Sequence, residues 1–196
     1  MCIFLKDTKA YKIHKGERMK ICFIAPSGYG KTTAVNYLTN KYGAVNIKIA
    51  DFLYEIQDYI YLRMGIDTKG KQDGELLQFL GKKIRSIDEK FLLEEFNRKI
   101  SVCKNNLILN DDCRPFDYKF LKSIGFIFVR IEGYSHERND LTKIDKNSNL
   151  EWDNIPTCDY VVLNEFTLEE YFENLDRLIG EINNGQVLRY TSSKKV

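Results

Sequence analysis

The sequence is poor in the residues from which metal centres and disulfide frameworks are built. Only two of its 196 residues are histidine and five are cysteine, and no two cysteines form a CxxC pair. An odd number of cysteines without histidines near them indicates neither a zinc site nor a disulfide framework. We interpret the cysteines as small buried hydrophobic residues and expect any metal ion to arrive together with a ligand.

Long apolar runs and an excess of charge are missing as well. The longest apolar runs, 21–25 and 126–129, have the length of buried strands and are far shorter than a membrane span. The first 15 residues lack the pattern of a secretory signal, so we expect a cytoplasmic protein with no membrane partner. Charged residues make up 30% of the chain and leave a net charge of +2, which argues against dedicated nucleic-acid binding.

The alternation of strand-like and helix-like segments predicts a single α/β domain. Residues 1–18 are polar and lysine-rich and are predicted to be a peripheral extension, residues 19–184 form the domain, and 185–196 form a tail. Parallel strands need crossover connections, so the pattern predicts a three-layer αβα sandwich with a mostly parallel sheet of five strands. The predicted strands are 20–25, 44–50, 106–110, 125–131 and 159–164.

The helix predictions rest on apolar periodicity and on end signals. A first helix is expected to end at Gly43, a second to begin with Asp51 as its N-cap and run to about Met64, and a last one to span 167–183. Residues 132–158 show no clear period, and a loop of that length is usually functional, so we interpret it as a candidate lid. Two apolar stripes predict core-facing helices: Leu76, Leu77, Leu80, Ile84 and Ile87, then Phe91, Leu92, Phe96 and Ile100.

A glycine-rich segment follows the first strand and opens directly onto a helix. It reads APSGYGKT over 25–32 and matches the phosphate-binding loop (P-loop) G-x-x-x-x-G-K-[ST], with alanine in the first place. The glycines let backbone N–H groups converge on phosphate oxygens, and the helix N-terminus favours the same anion. Lys31 would reach the β- and γ-phosphates, and the Thr32 hydroxyl would bind Mg²⁺. The predicted nucleotide-binding residues are Ser27, Gly28, Tyr29, Gly30, Lys31, Thr32 and Thr33.

Two carboxylates follow the strand at 106–110. Asp111 and Asp112 lie where that strand ends, the edge at which ligands bind in open α/β sheets. An acid there can hold Mg²⁺ through water, and either residue could serve, although an Asp-rich turn would look the same.

The P-loop defines the ligand class and leaves the reaction open. A GTP-dependent switch would need D-x-x-G and [NT]-K-x-D after strands. The chain contains both patterns, at 67–70 and 142–145, but in polar surroundings without strands. We therefore treat these two matches as coincidental.

From Met19 to Ile179 the chain resembles the deoxynucleoside monophosphate kinases of phages and bacteria and, more distantly, dephospho-CoA kinase. The resemblance rests on the P-loop, on IADFLYEI after the second strand, on GKQDGELLQFLGKKIRSID, on LILNDDCRPFDYKFLKSIGFIFVRI and on CDYVVLNEFTLEEYFENLDRLI. It implies transfer of the γ-phosphoryl group of ATP, with Mg²⁺, to a nucleoside monophosphate. Such an enzyme acts on a small molecule, and a homodimer is compatible with it.

The resemblance also implies roles for individual residues. Arg85 and Arg114 would bind the acceptor phosphate, because a guanidinium group matches phosphate oxygens in two-point fashion. Asp51 would orient the acceptor or accept its proton, beside its alternative role as a helix cap. Arg130 and Arg138 flank the candidate lid and could close over the transferring phosphoryl group, so Lys31, Asp51, Arg130 and Arg138 form the predicted catalytic set.

Two other functions remain open at this stage. One is a kinase of a different small metabolite on the same scaffold. The other is a nucleotide-dependent ATPase or GTPase module that hydrolyses slowly and has no acceptor.

Overall fold

The computed structural model describes residues 18–67, 71–133, 158–165 and 167–185. Within them, five strands form one sheet in which every neighbouring pair is parallel, in the order β2-β3-β1-β4-β5. Strands that follow β1 in the chain lie on both sides of it, so β1 is the point at which the strand order reverses. In open sheets of this kind, ligands bind beside that point, at the carboxyl ends of the strands. The strands are Met19–Ile24 (β1), Val45–Asn46 (β2), Leu107–Asn110 (β3), Ile127–Gly133 (β4) and Tyr160–Asn164 (β5).

Helices cover both faces of the sheet, as the alternating pattern predicts. Successive side chains of β1 point to opposite layers: Ile21 and Phe23 pack on α1 and α6, whereas Cys22 and Ile24 pack on the layer that contains α2, α4 and α5. The prediction of a three-layer α/β sandwich is confirmed. The helices are Lys31–Tyr42 (α1), Asp51–Arg63 (α2), Gly74–Ile87 (α3), Phe91–Val102 (α4), Tyr118–Ser123 (α5) and Leu168–Asn184 (α6), with a 3-10 turn at Pro115–Asp117.

The end of α1 is where the sequence predicts it. Gly43 has a left-handed backbone (φ 64°); its N–H donates to the carbonyl oxygen of Thr39 at 3.1 Å, and the N–H of Ala44 donates to that of Leu38 at 3.4 Å. A glycine is suited to this position because other residues pay a steric cost for positive φ.

The start of α2 differs from the prediction. The N-cap is Ala50, and Asp51 is already the first helical residue, whose Oδ2 accepts from the backbone N–H of Lys48 at 3.1 Å. The second strand is also only two residues long instead of 44–50. Both differences have one cause: the Asp112 carboxylate accepts from the backbone N–H groups of Ile49 and Ala50, which turns the chain out of the sheet before the helix.

Helix α3 is less buried than its apolar stripe suggests. Gly81 is its one buried residue, and Ile87 is 76% exposed although the pattern places it on the core face. Leu77, Leu80 and Ile84 are partly buried against the core. The helix packs on α2 and α4 rather than on the sheet, so only a narrow face is covered. The stripe of α4 is confirmed, with Leu92, Phe96 and Ile100 buried.

Several predictions concern residues beyond those described. Most of the extension and tail (1–17 and 186–196), the body of the candidate lid (134–157) and with it Arg138 lie outside the described residues. Arg18, at the predicted domain boundary, donates to the carbonyl oxygens of Ile100 and Cys103 at the end of α4. In the described part of the chain, no helix is long and apolar enough to cross a membrane.

Candidate phosphate-binding site

The P-loop connects the carboxyl end of β1 to the first residue of α1. Gly28 and Gly30 have φ values of 88° and 96°, in the left-handed region that favours glycine. A Cβ at Gly30 would lie 2.6 Å from Nδ2 of Asn164. That amide donates to the Tyr29 carbonyl at 3.1 Å, and the Tyr171 hydroxyl donates to the Gly30 carbonyl at 3.1 Å. The loop is therefore supported from behind by the end of β5 and by α6.

Lys31 lies across its own loop. Its Nζ donates to the carbonyl oxygens of Ala25 and Pro26. The pKa of Lys31 is lowered to about 8, mainly by burial; Arg114 and Lys48 act in the same direction, and Asp111 opposes them. The ammonium group is thus held in a partly desolvated position near two other cations.

The start of α1 fits an anion. The helix has no side-chain N-cap and no acidic residue in its first turn, so its leading N–H groups are uncapped by side chains within the described structure. Thr32, in that turn, is exposed, and Thr33 is half-buried. With the left-handed glycines, this donor set suits phosphate oxygens, and the Thr32 hydroxyl is accessible to a metal ion that accompanies them.

Asp111 faces the lysines. It is buried at the end of β3, and its Oδ1 accepts from Asn46 Nδ2 at 3.0 Å and lies 3.6 Å from Lys48 Nζ. Burial alone would lower the pKa of Lys48, but Asp111, Tyr54 and Asp112 outweigh it and the pKa is raised. Lys48 therefore stays a cation beside the loop.

Asp112 has a different environment from its neighbour. Besides the N–H groups of Ile49 and Ala50, at 3.0 and 2.9 Å, its carboxylate accepts from Asn110 Nδ2 at 2.7 Å. Burial raises the pKa of Asp112, and these hydrogen bonds oppose the shift. Its oxygens bind the β2–α2 connection, whereas Asp111 Oδ1 lies 3.6 Å from Lys48 Nζ and Asp111 also favours the charged form of Lys31.

The two predicted acceptor arginines come together around the turn that follows β3. The guanidinium carbon of Arg85, on α3, lies 4.6 Å from the centroid of the Phe116 ring. Both Arg85 and Arg114 are near enough to the Asp117 carboxyl to lower its pKa, although burial raises that pKa to about 6 overall. Arg85 and Arg114, which are 29 positions apart in the chain, thus both act electrostatically on the Asp117 carboxylate.

Asp51 is the first residue of α2. Its Oδ2 accepts from the Lys48 N–H and is 3.7 Å from Lys99 Nζ. Its carboxylate therefore holds the backbone that carries Lys48 and faces a lysine of α4.

Arg130 lies on the other side of the loop, in the middle of β4 and paired in register with Ile24, the last residue of β1. It lines a cavity of about 270 Å³ between the P-loop and β4, together with Ala25, Pro26 and Tyr29. The pKa of Cys158 is raised by burial. Arg130 hydrogen-bonds the Cys158 thiol and partly opposes that rise. Arg130 thus borders the P-loop, and its role beside the lid stays a prediction.

Three residues at the site are absent from the sequence-based prediction: Lys48, Phe116 and Asp117. Lys48 gave no usable signal, because it lies inside the predicted strand 44–50 and comes to the ligand-binding edge of the sheet only because β2 stops at Asn46. Asp117 and Phe116 had none, since their importance depends on contact with α3. Among the residues that the structure describes, no group of three or more histidine, cysteine or acidic residues could hold a metal ion unaided.

Comparison with known proteins gives structural matches only. No protein-family model matches the chain, and no curated protein matches it. TT1252 from Thermus thermophilus superposes with a TM-score of 0.54 at 14% identity, covering 84% of this chain and 98% of that one. Shikimate kinase from Aquifex aeolicus has a TM-score of 0.49 at 18% identity (85% and 98% covered), and dephospho-CoA kinase from Campylobacter jejuni has 0.47 at 15% (86% and 98%). At such identities the likeness to TT1252 establishes a shared α/β fold, and the deoxynucleoside monophosphate kinase resemblance stays a prediction.

Proposed function

We propose that the chain is an ATP-dependent phosphotransferase that moves the γ-phosphoryl group of ATP to the phosphate of a nucleoside monophosphate. The observation that carries the proposal is the convergence of cations at the carboxyl edge of the sheet. Lys48 and Arg114 both act on Lys31 strongly enough to lower its pKa, and Asp111 is the acid beside them. An excess of positive charge around a P-loop is suited to two facing phosphate groups.

On the donor side, the uncapped N–H groups of α1 and the P-loop backbone bind the phosphates of ATP. Lys31 exchanges the carbonyl oxygens of Ala25 and Pro26 for phosphate oxygens. The Thr32 hydroxyl and Asp111 hold Mg²⁺, which when bound neutralises charge on the phosphates. Asp112 keeps its backbone hydrogen bonds and shapes the β2–α2 connection.

On the acceptor side, Arg85 and Arg114 bind the phosphate that receives the phosphoryl group. A planar guanidinium group binds two oxygens at once, which aligns the attacking oxygen as well as neutralising it. Lys48 adds a third cation between donor and acceptor, and Asp51 fixes the backbone that carries it. Arg130 and Arg138 contribute from the lid side by excluding water.

The test is an ADP-release assay with ATP and Mg²⁺ against ribo- and deoxynucleoside monophosphates, with dephospho-CoA and hydroxylated acids as alternative acceptors. We expect turnover that depends on a nucleoside monophosphate and that falls about a hundredfold or more in Lys31→Ala, since removing one preorganised donor has that effect. Lys104→Ala, at an exposed lysine before β3, is the matched control and should behave like the wild type.

The other outcomes separate the alternatives. Turnover with a hydroxylated acid or dephospho-CoA alone would replace the nucleotide acceptor with another metabolite. ATP binding with slow hydrolysis and no acceptor dependence would show a switch or ATPase module, and the proposal would be wrong.

A further inference from the structure

Asp117 is buried beside the two predicted acceptor arginines, Arg85 and Arg114, and one of its carboxylate oxygens has an unusual environment. Its exposed fraction is 1%, and Oδ2 accepts from the backbone N–H of Arg114 at 3.0 Å. The other oxygen, Oδ1, is fully enclosed and has no hydrogen-bond partner among the described residues. Buried polar atoms without partners are rare in folded proteins because desolvation is not compensated, so this oxygen requires an explanation.

The surroundings of Asp117 contain two guanidinium groups. Arg85 and Arg114 both favour its ionised form, while Asp112 and burial oppose it, and the resulting pKa of about 6 leaves the carboxylate charged at neutral pH. The ring of the preceding residue, Phe116, supports the Arg85 guanidinium group at 4.6 Å. The turn at 115–117 thus carries an aromatic platform for one arginine and an anionic oxygen near both.

We propose that Asp117 positions Arg85 and Arg114 for the acceptor phosphate, with Oδ1 as the anchor that receives a guanidinium N–H when the acceptor is bound. A guanidinium group has five N–H donors, so it can bind phosphate with its outer edge and a carboxylate with its inner edge. Second-layer carboxylates orient metal-bound histidines by the same logic. The inference rests on the proposed function, in which these arginines bind a phosphate.

The first test compares Asp117→Asn with the wild type in the turnover assay. Asparagine keeps an oxygen for the Arg114 N–H and loses the charge, so the fold is retained. We expect the KM for the acceptor to rise about tenfold, as for other outer-layer partners, while the KM for ATP changes less than twofold. Asp159→Asn is the matched control, because Asp159 also accepts a backbone N–H, from Phe128, and pairs with Lys122, but precedes β5 at the amino ends of the strands, away from the carboxyl ends that carry the site.

A second readout does not depend on turnover. Binding of inorganic phosphate is measured by calorimetry with Mg·ADP present, and we expect Asp117→Asn, unlike Asp159→Asn, to weaken it about tenfold. If the wild type shows no acceptor-dependent turnover but this difference appears, the proposed function is wrong and the role of Asp117 stands. Unchanged or tighter phosphate binding in Asp117→Asn would overturn the inference, because the carboxylate would then only oppose the anion.

Discussion

The charge of Lys31 depends on its surroundings. Its pKa is lowered to about 8, first by burial and then by Arg114 and Lys48. A lysine is cationic below its pKa, so the group that binds phosphate is fully present below about pH 8 and is lost as pH rises through that value. Phosphate binding favours the charged form and therefore weakens in alkaline solution.

We therefore predict that ADP affinity is constant between pH 6.5 and 7.5 and falls by up to about tenfold per pH unit above pH 8. Calorimetric titrations at several pH values measure this dependence. In Lys31→Ala the alkaline fall should disappear together with most of the affinity. An alkaline fall that persists in the variant would show that another group titrates.

The two neighbouring aspartates show what a residue-level pattern cannot distinguish. Both follow β3 and both match the expected metal-binding position. Asp111 lies 3.6 Å from Lys48, whereas Asp112 accepts hydrogen bonds from the backbone of Ile49 and Ala50. The different contacts of the two aspartates depend on the β2–α2 connection, which lies some 60 residues earlier in the chain.

At the scale of elements, the substitution of glycine by alanine is expected to have opposite effects on stability at two positions, Gly43 and Gly180. Gly43 ends α1 with a φ of 64°, and Gly180 lies inside α6; a Cβ at either meets nothing within 4 Å. Both positions have room for a methyl group, so the sign of the stability change depends on backbone conformation alone. Gly43→Ala should lower the free energy of unfolding by about 1 kcal/mol, and Gly180→Ala should raise it by about 0.5–1 kcal/mol.

Denaturant unfolding of both variants against the wild type provides the measurement. Each variant is the control for the other, because both substitutions add the same methyl group. Destabilisation by both substitutions would mean that packing, not φ, governs these positions.

At the scale of the whole molecule, the site is assembled from both sides of β1. The P-loop leaves β1, Asp111 and Arg114 follow β3, Arg130 is on β4, and α6 supports the loop from behind. A ligand bound there contacts several elements of the folded state and none of these arrangements in the unfolded state. Binding should therefore stabilise the entire fold by mass action.

We predict that Mg·ADP at a hundredfold excess over its Kd raises the free energy of unfolding by about 2.7 kcal/mol. Thermal or denaturant unfolding with and without the nucleotide measures the gain. The same concentration should give little gain in Lys31→Ala and the full gain in Lys104→Ala. Equal stabilisation of all three proteins would place the nucleotide away from the P-loop.

The sequence by itself determined the layer architecture, the P-loop and the end of α1 at Gly43. These features depend on local causes: apolar periodicity, the φ freedom of glycine and the rule that parallel strands need crossovers. Only the tertiary structure decided that β2 stops after two residues, that α2 begins at Asp51 itself, one residue earlier than its expected role as N-cap requires, and that Ile87 faces solvent. It alone brought Lys48 to Asp111 and Arg85 to Asp117. Those outcomes depend on contacts between residues distant in the chain, whose geometry no local pattern records.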